Sequence, residues 1–328
     1  MMRRAASIAA LVVGCLALLP QPARAETPPN MWEVAKDPAA RERYRVHLDV
    51  ERKLTALPDS GSDVAGLRAL LLNSVLAELE AVDAENSPDV RLRFDLARVQ
   101  YMREVYAGLI PLLRGALLQA PDHPQATQAY WMLALAYARA DNTTEELASY
   151  ELYLARETDP RGRATAIMNR AEGYMRLGRL QEAIDGYRET EAMGGETLAS
   201  SRWGLAVALD RYGDPLGALA AAKAALQVDP SLRMVIDKTL VFFVPDYDRL
   251  WYIALGLQAM AASELRASNA AESLLTAELT FTEYLVRARA HGDAWIHVAE
   301  MRLASVKKKR LEAEARAAKE TKVTDESR

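Results

Sequence analysis

A repeat of about 34 residues, running from residue 90 onward, restricts the fold of this chain more than any other feature. The two clearest copies span 164–197 and 199–232, and their matching small residues and glycines are Ala171 with Ala206, Gly178 with Gly213, and Ala183 with Ala218. Each glycine divides its copy into two apolar halves, because glycine ends a helix in a left-handed conformation at little cost. Each copy therefore predicts two helices that pack against each other and against the next copy.

Weaker copies extend this pattern in both directions. They span 90–123 and 127–160, and a degenerate fifth copy begins at Trp251. Two segments before residue 86, at 38–57 and 63–84, predict the two helices of a hairpin. The predicted segments are a signal peptide (1–25), a linker (26–37), the N-terminal hairpin (38–86), the repeats (90–232), an aromatic connecting segment (233–250), degenerate C-terminal helices (251–306) and a charged, solvated tail (307–328).

Composition agrees with an all-α fold. Ala, Leu, Arg and Glu dominate, the chain has only four Phe, and β-branched residues form no alternating runs. The formal net charge of -4 over 328 residues, with both signs interleaved, gives no field that would attract nucleic acid. We therefore do not expect nucleic acid to be a partner.

These repeats resemble the tetratricopeptide-repeat (TPR) family over about residues 90 to 290, on the small-residue and glycine positions given above. The resemblance implies an α-α right-handed superhelix of about four to five repeats, and a role in protein–protein interaction. Exported members attached to trans-envelope machines, including gliding-motility apparatus, are similar in their order of signal, repeats and charged tail.

The N-terminus has the pattern of a bacterial secretory signal. Arg3 and Arg4 precede an apolar run, and Ala23 and Ala25 occupy the small-residue positions of a cleavage site. We expect a periplasmic or secreted protein that begins at Glu26. The alternative is acylation at Cys15, which would give an outer-membrane lipoprotein. Cleavage after Ala25 is favoured because the lipobox leucine is missing and the apolar run continues past Cys15.

The first helix of each repeat would line the concave wall of such a superhelix. The predicted partner-binding residues on this wall are Arg98, Tyr101, Trp131, Arg139, Asn169, Arg176, Trp203 and Arg211. Arginines could bind carboxylates of an extended peptide, and Asn169 with Arg176 resembles part of the carboxylate clamp of some TPR proteins. Alternatively, these arginines complement the helix dipole and the aromatic residues fill the interior.

No pattern in the chain predicts catalysis. A catalytic site needs a nucleophile or metal ligands together with a base and an orienting group, and no such motif occurs. The four histidines are His47, His123, His291 and His297, and we expect all of them to be exposed or capping. The last two are six residues apart, which places them on different sides of a helix rather than at the spacing that chelates zinc. The sequence predicts no enzyme activity, no cofactor, no metal and no small-molecule substrate.

The aromatic cluster at 241–252 has two interpretations. It either closes the core between the fourth and fifth repeats or forms an exposed partner interface. From these features, the preferred hypothesis is a non-enzymatic scaffold, a periplasmic subunit of a cell-envelope complex such as a motility or transport machine. The alternative is an adaptor that captures carboxylate-bearing peptide segments. Protein partners of the cell envelope are expected in both cases, and self-association is left open.

Overall fold

The computed structural model describes residues 31–58, 65–236 and 245–326, and within these ranges the secondary structure is entirely helical. The α-helices are α1 (Met31–Lys36), α2 (Pro38–Thr55), α3 (Ala65–Ala81), α4 (Val90–Met102), α5 (Leu109–Gln119), α6 (Ala126–Arg139), α7 (Thr143–Leu154), α8 (Pro160–Arg176), α9 (Leu180–Met193), α10 (Leu198–Tyr212), α11 (Pro215–Leu226), α12 (Arg233–Ile236), α13 (Arg249–Ala261), α14 (Ala267–His291) and α15 (Ile296–Glu326). The all-α prediction is confirmed. None of the helices described is both long enough and apolar enough to span a bilayer.

Contacts divide the chain into two compact units, residues 1–129 and 130–328. In the first unit, α2 packs on α3 and α4, and α4 packs on α5. Asp37 begins α2 by accepting a hydrogen bond from the Ala39 backbone N–H at 2.9 Å, while Val46 and Val50 face the interior. The hairpin helices predicted at 38–57 and 63–84 correspond to α2 and α3.

In the second unit, helices α7 to α11 each pack on the next along the chain, α11 packs on α13, α13 on α14 and α14 on α15, and α10 also contacts α8 and α13. The first helix of one repeat therefore contacts its own partner helix and the first helix of the neighbouring repeats. This is the packing that the repeat period predicts, because a single helix pair cannot bury its apolar face alone.

The turns between helices show why the repeat sequence folds in this way. Gly178 (φ +72°) and Gly213 (φ +97°) have the left-handed backbone that ends the first helix of each clear repeat. Asp141 takes the same conformation with φ +54° where the second repeat lacks a glycine. The next helices begin at caps, for example Asp214, which accepts from the Gly217 N–H at 2.8 Å.

Two predicted segments differ in the structure. The linker predicted at 26–37 contains the short helix α1, and its residues 26–30 lie outside the described residues. The tail is predicted to be a solvated helix that frays, whereas in the structure it is part of α15, which continues to Glu326 and packs on α14. The buried residues of α15 recur seven apart and are Ala299, Val306 and Ala313. The sequence did not predict this stripe, because alanine contributes little to an apolar pattern. A seven-residue period is nevertheless typical of two long helices that pack along each other.

The structure describes part of the aromatic cluster at 241–252. Tyr247, Trp251 and Tyr252 are buried, and Trp251 meets the rings of Phe281 and Tyr284 edge-on. The core interpretation is correct for these three residues. Residues 237–244, with the rest of the aromatic cluster, lie outside the described residues, as does the predicted signal peptide.

Candidate partner-binding site

The predicted wall residues nearest the N-terminus lie among internal contacts. Arg98 forms an ion pair with Glu51, and the Tyr101 ring lies edge-on against Tyr106. In the second unit, Trp131 is half-buried against the rings of Tyr150 and Tyr153, with centroids at 5.9 and 5.4 Å. Arg139 is exposed.

The remaining four predicted residues lie in the interior of the second unit. Asn169 is buried beside Tyr150, and Arg176 forms an ion pair with the buried Glu146. Trp203 is 2% exposed and donates from Nε1 to Asp229 Oδ2 at 3.2 Å. Arg211 is 5% exposed, pairs with Asp248, and lies over the rings of Trp251 and Trp295 at 4.6 and 5.1 Å from their centroids.

The ion pairs of the predicted wall arginines oppose the capture of a ligand carboxylate. Of the four predicted arginines, Arg98, Arg176 and Arg211 already contact a carboxylate of this chain. A ligand carboxylate would have to displace that partner, and Glu146 or Asp248 would then be buried without a counterion, which is costly. The partner-binding role of the eight wall residues stays a prediction, and their geometry does not favour carboxylates as the ligand.

Two ion pairs with buried acids therefore link neighbouring repeats, Arg176 on α8 with Glu146 on α7, and Arg211 on α10 with Asp248 just before α13. Burial raises the pKa of Glu146 to about 7, and the charge of Arg176 opposes that rise. Burial likewise raises the pKa of Asp248, opposed by Arg211. In each pair the guanidinium favours the ionised carboxylate, whereas burial favours the protonated form.

Glu172 lies between these pairs and differs from both acids. It occupies α8 one turn before Arg176, but Arg176 extends to Glu146 instead, and Glu172 forms no hydrogen bond or ion pair with any described residue. Burial raises the pKa of Glu172 to about 8; the charge of Arg176 opposes this rise, and that of Glu146 adds to it. Glu172 is thus a partly buried acid without a counterion of its own.

Glu172 borders a small cavity of about 20 Å³, which we name the Glu172 cavity. Its lining residues are Met168 and Glu172 on α8, Tyr187 on α9, Ser200, Trp203 and Gly204 on α10, Val235 on α12 and Tyr252 on α13. Residues from three consecutive repeats therefore converge here. Trp203 was predicted as a wall residue for partner binding, whereas Tyr187 and Tyr252 were missed because they belong to other helices.

Gly204 explains how the aromatic wall of this cavity is built. A Cβ at this position would lie 2.3 Å from the Tyr187 ring, so only glycine lets Tyr187 lie directly on α10. The hydroxyl of Tyr252 lies beside that of Tyr187. A glycine inside a helix is unfavourable by itself, and this close approach supplies the reason for it.

A separate polar cluster lies in the first unit. His47 Nδ1 is 2.6 Å from Asp95 Oδ2, and ligand atoms of His47, Glu51 and Asp95 lie within 4.8 Å of one another. Arg98 contacts Glu51, and Gln125 donates to Glu51 at 3.1 Å. Because a guanidinium and an amide already satisfy these acids, we interpret the cluster as a polar network inside the unit. His47 is thus neither a simple exposed nor a capping histidine, because it contacts Asp95, a buried acid on α4.

An open groove of about 760 Å³ lies elsewhere on the second unit, between the end of α11 and the loop from α13 to α14. Leu265 lines it and is 99% exposed. A single exposed leucine is common on protein surfaces, so this groove is a weaker candidate than the Glu172 cavity.

No protein-family model and no curated protein sequence matches the chain. Among solved structures, the chain is similar to the crystal structure of MamA protein, with 16% identity, 62% of this chain and 100% of that chain covered, and a TM-score of 0.46. It is also similar to a STAND ATPase with a tetratricopeptide repeat sensor from Pyrococcus horikoshii, with 14% identity, 86% of this chain and 51% of that chain covered, and a TM-score of 0.41. The likeness concerns the helical fold alone.

Proposed function

We propose that this chain is a non-enzymatic scaffold that binds another polypeptide at the face where α8, α10 and α13 meet. The observation that carries the proposal is the side-chain chemistry of the Glu172 cavity. Met168, Tyr187, Trp203 and Tyr252 converge there, and the charges of Arg176 and Arg211 act on the Glu172 carboxyl at its wall. Tyrosine, tryptophan, methionine and arginine are the residue types enriched at the centres of protein interfaces.

We further propose that the scaffold is exported and acts as a subunit of a periplasmic cell-envelope complex, such as a motility or transport machine. The support is the order of charged, apolar and small residues before Glu26. Intact-mass measurement of the protein from the periplasmic fraction should give a chain that starts at Glu26. A chain that starts at an acylated Cys15, or one that keeps Met1, would contradict this proposal.

Carboxylate capture, the alternative prediction, has less support. The three arginines that are paired internally would have to exchange partners before they could bind a peptide carboxylate. Charge reversal at Arg176 would also be a poor test, because it would place a second negative charge against the buried Glu146. Substitutions at the rim of the cavity test the binding surface with less damage to the fold.

The test is affinity purification of the tagged protein from cross-linked envelopes, followed by mass spectrometry. The variants are Met168→Arg at the rim of the Glu172 cavity, Leu265→Arg in the open groove, and Met301→Arg as a matched control on α15, where Met301 is 48% exposed. Circular dichroism should first show that all three variants keep the helical content of the wild type.

We expect the wild type and Met301→Arg to recover the same partners, and Met168→Arg to lose them. Recovery of the same partners by every variant would overturn the assignment of this face. Loss with Leu265→Arg alone would move the binding surface to the open groove. Failure of the wild type to retain any partner above an untagged control would contradict the scaffold function itself.

A further inference from the structure

The acid–base balance around the Glu172 cavity is uneven. The charged groups that face Glu172 are Glu146 on α7, Arg176 on α8, Arg211 on α10 and Asp248 just before α13. Among the residues that the structure describes, ionised Glu172 makes three carboxylates beside two guanidinium groups. Since each guanidinium contacts a different carboxylate, ionised Glu172 carries a negative charge that neither guanidinium contacts.

We propose that the Glu172 cavity binds the ammonium group of a lysine side chain from the partner polypeptide. The inference rests on the proposed scaffold function, because it names the chemical group that the scaffold recognises. An ammonium beside Glu172 would supply the missing counterion, whereas a carboxylate would bring a fourth negative charge into the same site.

The size of the cavity selects among cations. A volume of about 20 Å³ is close to what a single water molecule needs, and a primary ammonium group is of similar size. A planar guanidinium or a trimethylated ammonium is larger and would not fit without rearrangement of the walls. Gly204 limits such rearrangement, because the Tyr187 ring already lies against its Cα.

The walls also suit a lysine side chain. Trp203, Tyr187 and Tyr252 supply aromatic rings, which attract a cation within about 6 Å of their centroids. Met168 is partly buried at the rim, where a flexible thioether can pack along the methylene stem of lysine. The Ser200 hydroxyl can accept a hydrogen bond from the ammonium.

The binding energy has a clear source. Burial and the charges of Glu146 and Asp248 oppose ionisation of Glu172, and Arg176 and Arg211 offset them from within other ion pairs. A cation in direct contact favours the carboxylate and relieves that cost. Binding should therefore strengthen as the pH rises through the range in which Glu172 ionises, and weaken again where lysine loses its proton near pH 10.4.

The experiment uses n-butylammonium as a lysine side-chain probe and the full-length protein labelled with 5-fluorotryptophan. The ¹⁹F resonance of Trp203, assigned with Trp203→Phe, reports on the cavity directly. We expect a saturable shift with n-butylammonium, and no saturable shift with the neutral N-butylacetamide or the larger n-propylguanidinium. Glu172→Gln should weaken n-butylammonium binding by about tenfold or more, the loss expected for one charged hydrogen bond.

Glu182→Gln is the matched control, because Glu182 is an exposed acid on α9 that pairs with Arg179. It should bind the probe as the wild type does. Equal binding by Glu172→Gln, or equal shifts with the neutral amide, would overturn the proposal.

The envelope purification separates this inference from the proposed function. If Glu172→Gln fails to bind n-butylammonium yet still recovers the partners of the wild type, the scaffold function survives and lysine recognition is excluded. If the scaffold recovers no partner at all, the probe titration still decides whether the cavity selects a primary ammonium.

Discussion

At the scale of single residues, an arginine near the end of a repeat helix has two possible roles, and the sequence alone does not distinguish them. Arg176 and Arg211 recur at the same place in successive repeats, which is typical both of a ligand-binding wall and of helix-dipole complementation. The structure adds a third role, because both arginines pair with buried acids from neighbouring helices. Their carboxylate partners are 30 and 37 residues away, a separation that no local pattern reveals.

The Arg211–Asp248 pair should be essential for stability. Arg211→Ala would leave Asp248 buried without its counterion, and we expect a loss of about 3–5 kcal/mol in the free energy of unfolding. Urea denaturation at pH 7 measures it. Arg287→Ala is the control, since Arg287 and Glu283 form an exposed pair whose removal should cost about 0.5 kcal/mol or less. Similar losses in both variants would contradict the role given to Arg211.

The raised pKa of Glu172 predicts a dependence of stability on pH. The pKa is about 8 in the folded chain against 4.5 as the ordinary value, so the folded state holds the extra proton between these limits. The stabilisation that comes from this proton is complete below pH 4.5 and is lost as the pH rises through 8.

Glu172→Gln removes this titration. The stability of the variant relative to the wild type should therefore rise between pH 5 and pH 9, at no more than about 1.4 kcal/mol for each pH unit. Urea denaturation at several pH values gives the difference, in which the titrations of Glu146 and Asp248 largely cancel. A constant difference across this range would mean that the pKa of Glu172 is not raised.

At the scale of helices, the sequence predicts the role of a glycine at the end of a helix but not the role of a glycine inside one. Gly178 and Gly213 were predicted to end helices, and their positive φ angles confirm it. Gly204 lies in the middle of α10, where its role depends on the Tyr187 ring of the preceding helix. A contact between two helices leaves no signature in the local sequence, so this part of the cavity could not be predicted.

Gly204→Ala should therefore destabilise the second unit despite the higher helix propensity of alanine. The added methyl would lie 2.3 Å from the Tyr187 ring, and overpacking of this kind costs about 1–3 kcal/mol. Gly66→Ala on α3 is the matched control, because its Cβ would meet nothing within 4 Å. We expect that control to be neutral or stabilising by up to about 1 kcal/mol in urea denaturation. A neutral Gly204→Ala would show that Tyr187 is free to move.

At the scale of the whole molecule, the sequence predicted the helical class and the positions of the clear helix pairs, because these depend on spacings within one repeat. It did not predict the Glu172 cavity, which needs residues from α8 to α13, or the docking of α15. Both depend on contacts between distant segments. The handedness of the predicted superhelix stays a prediction, since the two units are defined separately.

The last helix, α15, tests whether the local sequence pattern or contacts with a distant segment determine the structure of the C-terminal residues. The sequence predicts a solvated tail after residue 306, whereas in the structure Ala313 is fully buried and Arg310 Nε lies 2.7 Å from Glu278 Oε2 on α14. The Glu320 carboxylate also accepts a hydrogen bond from the backbone N–H of Ala267, at the start of α14, at 3.3 Å. Three contacts along α15 therefore hold the start and middle of α14.

Deletion of residues 307–328 should lower the thermal unfolding midpoint if these contacts matter. A loss of each 1 kcal/mol corresponds to about 2–4 °C for a unit of this size, and we expect a decrease of at least that much in differential scanning calorimetry. Deletion of residues 323–328 is the matched control, because it keeps Arg310, Ala313 and Glu320. Equal midpoints for the longer deletion and the wild type would support the solvated tail that the sequence pattern predicts, since only a segment without packing partners can be removed without cost.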